Sequence, residues 1–195
     1  MTKIETITHE ALCIATAKRF NKKFALYEYK SFASREEPDV LVFDYGGTIL
    51  FEIKTSLSDF NKDQKKDARK KYTVDWHIQF WHDQYMSDKM NPDVKRQYIK
   101  IVKEHPELIY IENNHLGNKR YYVCPFGLIP VDKLPEGWGL LYYKNGKFYQ
   151  QKPSGKFRPN LKTENDLVVH ALRRFASGDS TGILVNTYGD KDNAS

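Results

Sequence analysis

Two short apolar runs joined by a turn constrain the fold more than any other feature of this chain. Residues 40–43 and 49–53 are built almost entirely from aliphatic and aromatic side chains. Residues 44–47 between them, Asp-Tyr-Gly-Gly, are typical of a turn because glycine tolerates a positive φ. The pattern predicts an antiparallel hairpin. Since both faces of its strands are apolar, we expect the hairpin near the centre of its sheet.

Hydrophobic periodicity predicts further helices and strands along the chain. The predicted helices cover residues 8–22 (capped by Thr8), 58–72 (capped by Ser58), 94–104 and 161–176, and the further strands cover residues 24–29, 108–112, 120–124, 138–143 and 147–151. Residues 113–118 are predicted to form a loop and the last dozen residues a mobile tail. This order of elements predicts an α/β fold, a mixed central sheet flanked by helices.

The second strand of the hairpin carries two charged residues where apolar ones are expected. Glu52 and Lys54 are two positions apart, so on a strand they project from the same face. Buried charges are costly unless they are paired or bind an ion. Because the strands are of similar length, hairpin pairing brings Asp39, which precedes the first strand, towards Glu52.

Two converging carboxylates form a hard oxygen site suited to Mg²⁺ or Mn²⁺. A metal held there activates water and offsets the charge of a phosphate, and a neighbouring lysine orients the water or neutralises the transition state. The alternative is a purely structural salt bridge between Glu52 and Lys54, which a bare Glu-x-Lys in a strand would favour.

The combination of motifs resembles the PD-(D/E)xK nuclease superfamily, in the form Pro38-Asp39 followed by Glu52-Ile53-Lys54. The runs EIKTSLSDFNKDQKK and RYYVCPFGLIPVDKLPEGWGLLYY are similar to the MmcB-type DNA-repair group and its phage relatives. The resemblance covers roughly residues 8–157. It implies a restriction-endonuclease-like domain over residues 1–160 with an insertion around 76–118, followed by a C-terminal helix and tail over 161–195.

The resemblance also implies an activity and a set of site residues. The activity is metal-dependent hydrolysis of nucleic acid, with DNA as the expected substrate, in repair, recombination or phage DNA metabolism. Asp39, Glu52 and Lys54 are the expected catalytic residues, and Asp39, Glu52, the backbone carbonyl of Ile53 and Glu10 are the expected ligands of Mg²⁺ or Mn²⁺. Glu10 has an alternative role as a favourable acid in the first turn of a helix.

Basic residues predict a surface for nucleic acid. The chain has 31 Lys and Arg against 25 Asp and Glu, a net charge of +6, which favours polyanionic partners. The positions three and four apart on the helix after the motif are Lys62, Lys65, Lys66, Arg69 and Lys70. The alternative is that this basic helix face is simply exposed to solvent and binds no nucleic acid. Asp59 and Asp63 are interpreted as balancing the charges of these lysines.

Other features limit the location and class of the protein. The two cysteines, Cys13 and Cys124, form no zinc or disulfide pattern, and no apolar stretch predicts a signal peptide or membrane span. We therefore expect a cytoplasmic protein, in a bacterial or phage-infected cell, without a membrane partner. Two rival functions are a binding module that does not cleave and a structural subunit of a larger complex. The sequence leaves the oligomeric state open, with a homodimer as one option.

Overall fold

The computed structural model contains a seven-stranded mixed sheet with helices on both faces. It describes residues 7–21, 23–31, 37–65, 81, 84–85, 87–88, 90–104 and 116–186. The strands are β1 Phe24–Tyr27, β2 Val40–Asp44, β3 Gly47–Ile53, β4 Lys119–Pro125, β5 Gly139–Lys144, β6 Lys147–Lys152 and β7 Ile183–Val185. The helices in these ranges include α1 His9–Phe20, α2 Leu57–Asp63, α3 Pro92–Glu104 and α4 Leu161–Ala176. The predicted α/β class is confirmed.

The sheet order is β6-β5-β4-β3-β2-β1-β7, so β3 is the central strand. It pairs antiparallel with β2 and parallel with β4, and β4 pairs parallel with β5. The predicted hairpin and its central position are confirmed. Parallel pairing brings the carboxyl ends of β3, β4 and β5 to one edge of the sheet, where polar side chains can gather without interrupting the core.

The alternation of side chains along β3 divides the core into two layers. Phe51 and Ile53 pack with α1, through Leu12 and its neighbours. Leu50 lies on the other face, in a cluster that also contains Phe60 of α2. Glu52 and Lys54 continue the Leu50 face, as their spacing predicts, and they point towards the side of the sheet that α2 and α4 cover.

The β2–β3 turn sets the register of the hairpin. Gly47 has φ +117°, and a Cβ there would lie 2.2 Å from Oδ1 of Asn118. That same oxygen accepts the backbone N–H of Thr48 at 2.8 Å. Only glycine therefore fits the position, and the resulting register pairs Val40 with Phe51. Asp39 is consequently carried opposite Glu52.

Several predicted boundaries need correction. The cap of α2 is Ser56, whose hydroxyl accepts from the N–H of Asp59, and not Ser58. In the described residues α2 ends at Asp63, whereas the prediction continued it to residue 72; residues 66–80 lie outside the description. The predicted strand at 108–112 also lies outside it.

The C-terminal segment belongs to the sheet. The sequence predicted a mobile tail after the last helix, but residues 183–185 form β7, which pairs antiparallel with β1. The apolar run Ile183-Leu184-Val185 supplies the side chains that this edge strand buries in part. The tail prediction is therefore wrong for these residues, and residues 187–195 lie outside the description. Among the described helices none is both long and apolar enough to cross a bilayer.

A buried carboxyl group ties α4 to the central hairpin. Glu164 accepts hydrogen bonds from the hydroxyl of Thr48 at 2.7 Å and from the N–H of Gly117 at 2.8 Å. Burial raises the pKa of Glu164, although these two hydrogen bonds and the charge of Arg120 act in the opposite direction. In the folded protein this group therefore holds its proton more tightly than in the unfolded chain.

This raised pKa predicts a pH dependence of stability. When pH rises through the ordinary value of 4.5 towards neutral, the folded state must ionise a group that it prefers protonated, so stability is lost. Glu164→Gln cannot titrate. We expect the unfolding free energy of the wild type, minus that of Glu164→Gln, to fall as pH rises. Denaturant titrations across this pH range measure this difference in unfolding free energy. A difference that stays constant or grows as pH rises would contradict the raised pKa of Glu164.

Candidate functional site

A buried lysine lies at the centre of the candidate site. Lys54 follows the last residue of β3, and its side chain is only 5% exposed. Its Nζ donates to Oε2 of Glu52 at 3.1 Å, and the Glu52 side chain is 4% exposed. The same-face geometry that the sequence predicts for these two residues is confirmed.

Asp39 reaches the same lysine from the neighbouring strand. Its Oδ2 lies 3.8 Å from Nζ of Lys54 and accepts the backbone N–H of Ile53 at 2.7 Å. Opposite residues of an antiparallel pair share a face, so the Val40–Phe51 register accounts for the approach to Glu52. The structure therefore brings Asp39, Glu52 and Lys54 together, as their spacing predicts.

The carbonyl of Ile53 faces this group as well. The N–H of Lys54 donates to β4, through the carbonyl of Val123 at 2.9 Å, whereas the N–H of Ile53 points to the β2 side. Because the N–H and C=O of one strand residue point in the same direction, the Ile53 carbonyl also points towards β2, beyond its last paired residue. Its orientation fits the predicted role as a backbone ligand, and the role stays a prediction.

Helix α2 adds two acids that the sequence interpretation had treated as surface charges. Asp63 is 1% exposed, and its Oδ1 lies 3.7 Å from Nζ of Lys54. Asp59, one turn earlier and half exposed, lies 3.8 Å from the same nitrogen. The hydroxyl of Tyr122 donates to Oδ2 of Asp63 at 2.7 Å, so β4 fixes the orientation of this carboxylate.

Aromatic packing in turn holds Tyr122. Its ring stacks on Trp138 with centroids 4.6 Å apart and meets Phe60 edge-on at 5.1 Å. Since Phe60 lies between the two aspartates on α2, the same contacts anchor the helix to the sheet. The spacing of the two acids, four apart on the helix that follows Glu-x-Lys, was the signal that could have identified them.

Among the described residues, acids outnumber the ammonium groups within reach of Lys54. Four carboxylates approach one ammonium. Burial alone would lower the pKa of Lys54, but the surrounding carboxylates, led by Glu52, raise it. Lys54 is therefore a fixed positive charge at neutral pH. A further cation would relieve the repulsion among these carboxylates.

The first helix contributes His9 to this region and not Glu10. Nε2 of His9 lies 3.4 Å from Oδ1 of Asp39, and this contact, with a hydrogen bond to Cys13, raises the pKa of His9 to about 11. Glu10 is exposed in the first turn of α1. Among the described residues no hydrogen bond or ion pair links it to the lysine cluster, and its role as a metal ligand stays a prediction beside the helix-dipole alternative.

The predicted basic surface is described only in part. Lys62 and Lys65 are exposed on and just after α2. Lys66, Arg69 and Lys70 lie outside the described residues. Lys62 lies on the helix that carries Asp59 and Asp63, and Lys65 follows that helix, which puts positive charge beside the acidic cluster.

Comparisons with known proteins give one structural likeness. No protein-family model matches the chain, and no curated protein matches it significantly in sequence. Among solved structures, the chain is similar to SPO1766, a protein of unknown function from Silicibacter pomeroyi. The likeness has a TM-score of 0.49 at 15% identity and covers 96% of this chain and 100% of that one. A likeness this distant says nothing about activity.

The central lysine gives a direct stability prediction. Lys54→Met leaves four carboxylates without their shared ammonium, and removing one partner of a buried ion pair costs about 3–5 kcal/mol. We expect a loss of this size at neutral pH in the presence of a chelator, measured by denaturant unfolding. The loss should shrink at acidic pH, because protonation removes the unbalanced charges.

Lys62→Met is the matched control, since it removes the same charge from an exposed position of α2. Surface changes of this kind usually fall within about 0.5 kcal/mol. If Lys54→Met were as stable as Lys62→Met at neutral pH, Lys54 would not be the group that holds the cluster together.

Proposed function

We propose that this protein is a metal-dependent nuclease that hydrolyses phosphodiester bonds, with DNA as its substrate. The observation that carries the proposal is the cluster around Lys54, in which Asp39 and Glu52 approach one ammonium at the end of the central strand. DNA as the substrate, and a role in repair, recombination or phage DNA metabolism, rest on the resemblance to the PD-(D/E)xK superfamily alone.

The donor set fits a hard divalent cation. Carboxylate and carbonyl oxygens are the ligands that Mg²⁺ and Mn²⁺ prefer, and Asp39, Glu52 and the Ile53 carbonyl are the residues that would hold the ion. The excess of carboxylates over ammonium groups supports the fit, because an added cation relieves their repulsion. When bound, the ion supplies a more acidic water and a positive charge for the phosphate oxygens.

Each protein group then has a specific task. Lys54 is held protonated by its neighbours, so it serves as a hydrogen-bond donor and charge and cannot be the general base. Its ammonium can orient a water molecule or neutralise a developing phosphate charge. Asp63, fixed by Tyr122, is a positioning residue, because it acts on the reaction only through its contact with the lysine.

The same excess of carboxylates among the described residues supports a requirement for a cation. A phosphate group that approaches Asp39, Glu52 and Asp59 meets like charge, and such repulsion disfavours binding. A divalent ion would offset part of this negative charge and present a positive centre to the phosphate oxygens. Exposed Lys62 and Lys65 nearby would attract the flanking phosphates of the strand, at the cost of salt-dependent affinity.

The first test is cleavage by the full chain. Plasmid DNA and single- and double-stranded oligonucleotides of DNA and RNA are incubated with increasing Mg²⁺ or Mn²⁺, and with a chelator. We expect cleavage only with metal, and a loss on the order of 100-fold or more in Asp39→Asn, Glu52→Gln and Lys54→Met. Asp132→Asn, at an exposed acid outside the cluster, is the control and should cleave normally.

The outcome also separates the rival functions. Cleavage that survives chelation, or that Glu52→Gln leaves intact, would contradict the proposed mechanism. Binding of nucleic acid without cleavage under every metal condition would favour a non-cleaving module on the same fold. If the folded protein neither binds nor cleaves nucleic acid, the structural-subunit alternative would be favoured.

A second test concerns the basic surface. Lys62→Gln combined with Lys65→Gln should weaken DNA binding and flatten its salt dependence, because the log–log salt slope falls by about 0.9 for each phosphate that the protein no longer neutralises. Binding is measured in the Glu52→Gln background, so that cleavage does not interfere, over a range of salt concentrations.

The control for this test is Lys119→Gln with Lys156→Gln. Both lysines are exposed. Lys119 is the first residue of β4, and Lys156 is held near it because the N–H of the next residue, Phe157, donates to the carbonyl of Asn118. The pair therefore lies at the edge of the sheet opposite the lysine cluster. We expect an unchanged slope for this pair. Equal slopes in both double variants would show that Lys62 and Lys65 only face solvent.

A further inference from the structure

A second group of ligand side chains lies on the α1 side of the sheet, outside the lysine cluster. His9, Cys13 and Glu28 each offer one ligand atom, and these three atoms lie within 4.8 Å of one another. Nδ1 of His9 is 3.2 Å from Oε1 of Glu28 and 3.5 Å from Sγ of Cys13. In a tetrahedral zinc site, neighbouring ligand atoms are about 3.3–3.7 Å apart, given the usual metal–ligand lengths. The two spacings from His9 are therefore already close to that arrangement, and the third, between Cys13 and Glu28, lies within 4.8 Å.

Secondary structure fixes all three positions. His9 and Cys13 are four residues apart on α1 and so share one face of the helix. Glu28 follows β1, and its N–H donates to the backbone carbonyl of Asp39 at 2.8 Å. Glu28 also has φ +45°, a conformation that costs free energy in a non-glycine residue.

The remaining nitrogen of His9 has a carboxylate partner. Nε2 lies 3.4 Å from Oδ1 of Asp39. Histidine ligands commonly donate their second N–H to a carboxylate, which fixes the ring and raises its basicity as a ligand. His9 meets this condition when Nδ1 is the nitrogen that binds the metal.

We propose that His9, Cys13 and Glu28 form a binding site for a divalent transition metal of the zinc class. The mixed nitrogen, sulfur and oxygen donors suit Zn²⁺ or Co²⁺ and disfavour Mg²⁺. His9 and Glu28 are both partly exposed, which gives the ion a path from solvent, whereas buried Cys13 lies on the inner side. Three protein ligands leave one coordination position for water.

Binding would require the release of protons. Burial raises the pKa of the Cys13 thiol, and a coordinated thiol loses its proton outright. His9, whose pKa is raised to about 11, must likewise release its Nδ1 proton to the solvent before that nitrogen can bind the ion. The bound ion would connect α1 to β1 and, through His9, to Asp39. The site does not rest on the proposed nuclease function, although the two share Asp39 as a neighbour.

The test measures metal binding by the full-length protein with Mg²⁺ in excess, so that the hard-oxygen site is saturated. Equilibrium dialysis with Zn²⁺ should give one tightly bound ion per chain, and Co²⁺ should produce a thiolate charge-transfer absorption. Cys13→Ser should abolish that absorption and weaken Zn²⁺ binding at least about tenfold. Cys124→Ser is the matched control, since Cys124 is also a buried free cysteine, and should bind as the wild type does.

Two more variants keep the test decisive. Glu28→Gln, at a partly exposed side chain, should weaken Zn²⁺ binding even if Cys13→Ser fails to fold. Glu52→Gln should leave Zn²⁺ binding unchanged, because it alters only the lysine cluster, so a failed nuclease proposal and a failed zinc proposal are distinguishable. Absence of Zn²⁺ binding, or binding that neither Cys13→Ser nor Glu28→Gln weakens, would overturn the site in favour of a plain hydrogen-bonded network.

Discussion

The ammonium of Lys54 is the charge on which the candidate site depends. It lies almost fully buried at the end of the central strand, within 3.8 Å of carboxylates from β3, from the residue before β2 and from α2. Without it these acids would repel one another in a region of low dielectric, where such repulsion is strongest. With it, these acids share one buried positive charge. Under the proposed function, a divalent cation would relieve the repulsion that remains among these carboxylates.

The fold supplies this arrangement through register and topology. The Gly47 turn fixes the β2–β3 pairing and so brings Asp39 opposite Glu52. Parallel pairing of β3 with β4 then places Tyr122 beside Glu52, where its hydroxyl holds Asp63. The acids on α2 face the lysine because Phe60, between them, is buried in the core below. Strand register and apolar packing therefore position the polar contacts of the site.

Much of this could be predicted from the sequence, because the relevant periodicities are local. The apolar runs and the glycine turn predicted the hairpin, and the two-residue spacing predicted that Glu52 and Lys54 share a face. The α/β class and the helix at Leu161–Ala176 were confirmed as well. Asp63 was misjudged because its burial depends on how α2 packs on β4. His9 was overlooked because its contact with Asp39 joins residues 30 positions apart. β7 was missed because three residues are too few to show a periodic pattern.

The most direct measurement is the location of a bound metal in crystals of the full chain grown with Mn²⁺, from an anomalous difference map. We expect a peak between the carboxylates of Asp39 and Glu52, about 2.0–2.3 Å from their oxygens and from the Ile53 carbonyl, with Lys54 adjacent and free to contact water. A map with no peak between these carboxylates at saturating Mn²⁺, and with the Lys54–Glu52 ion pair intact, would contradict the proposed metal site. The cluster would then be a structural ion-pair network and not a catalytic centre.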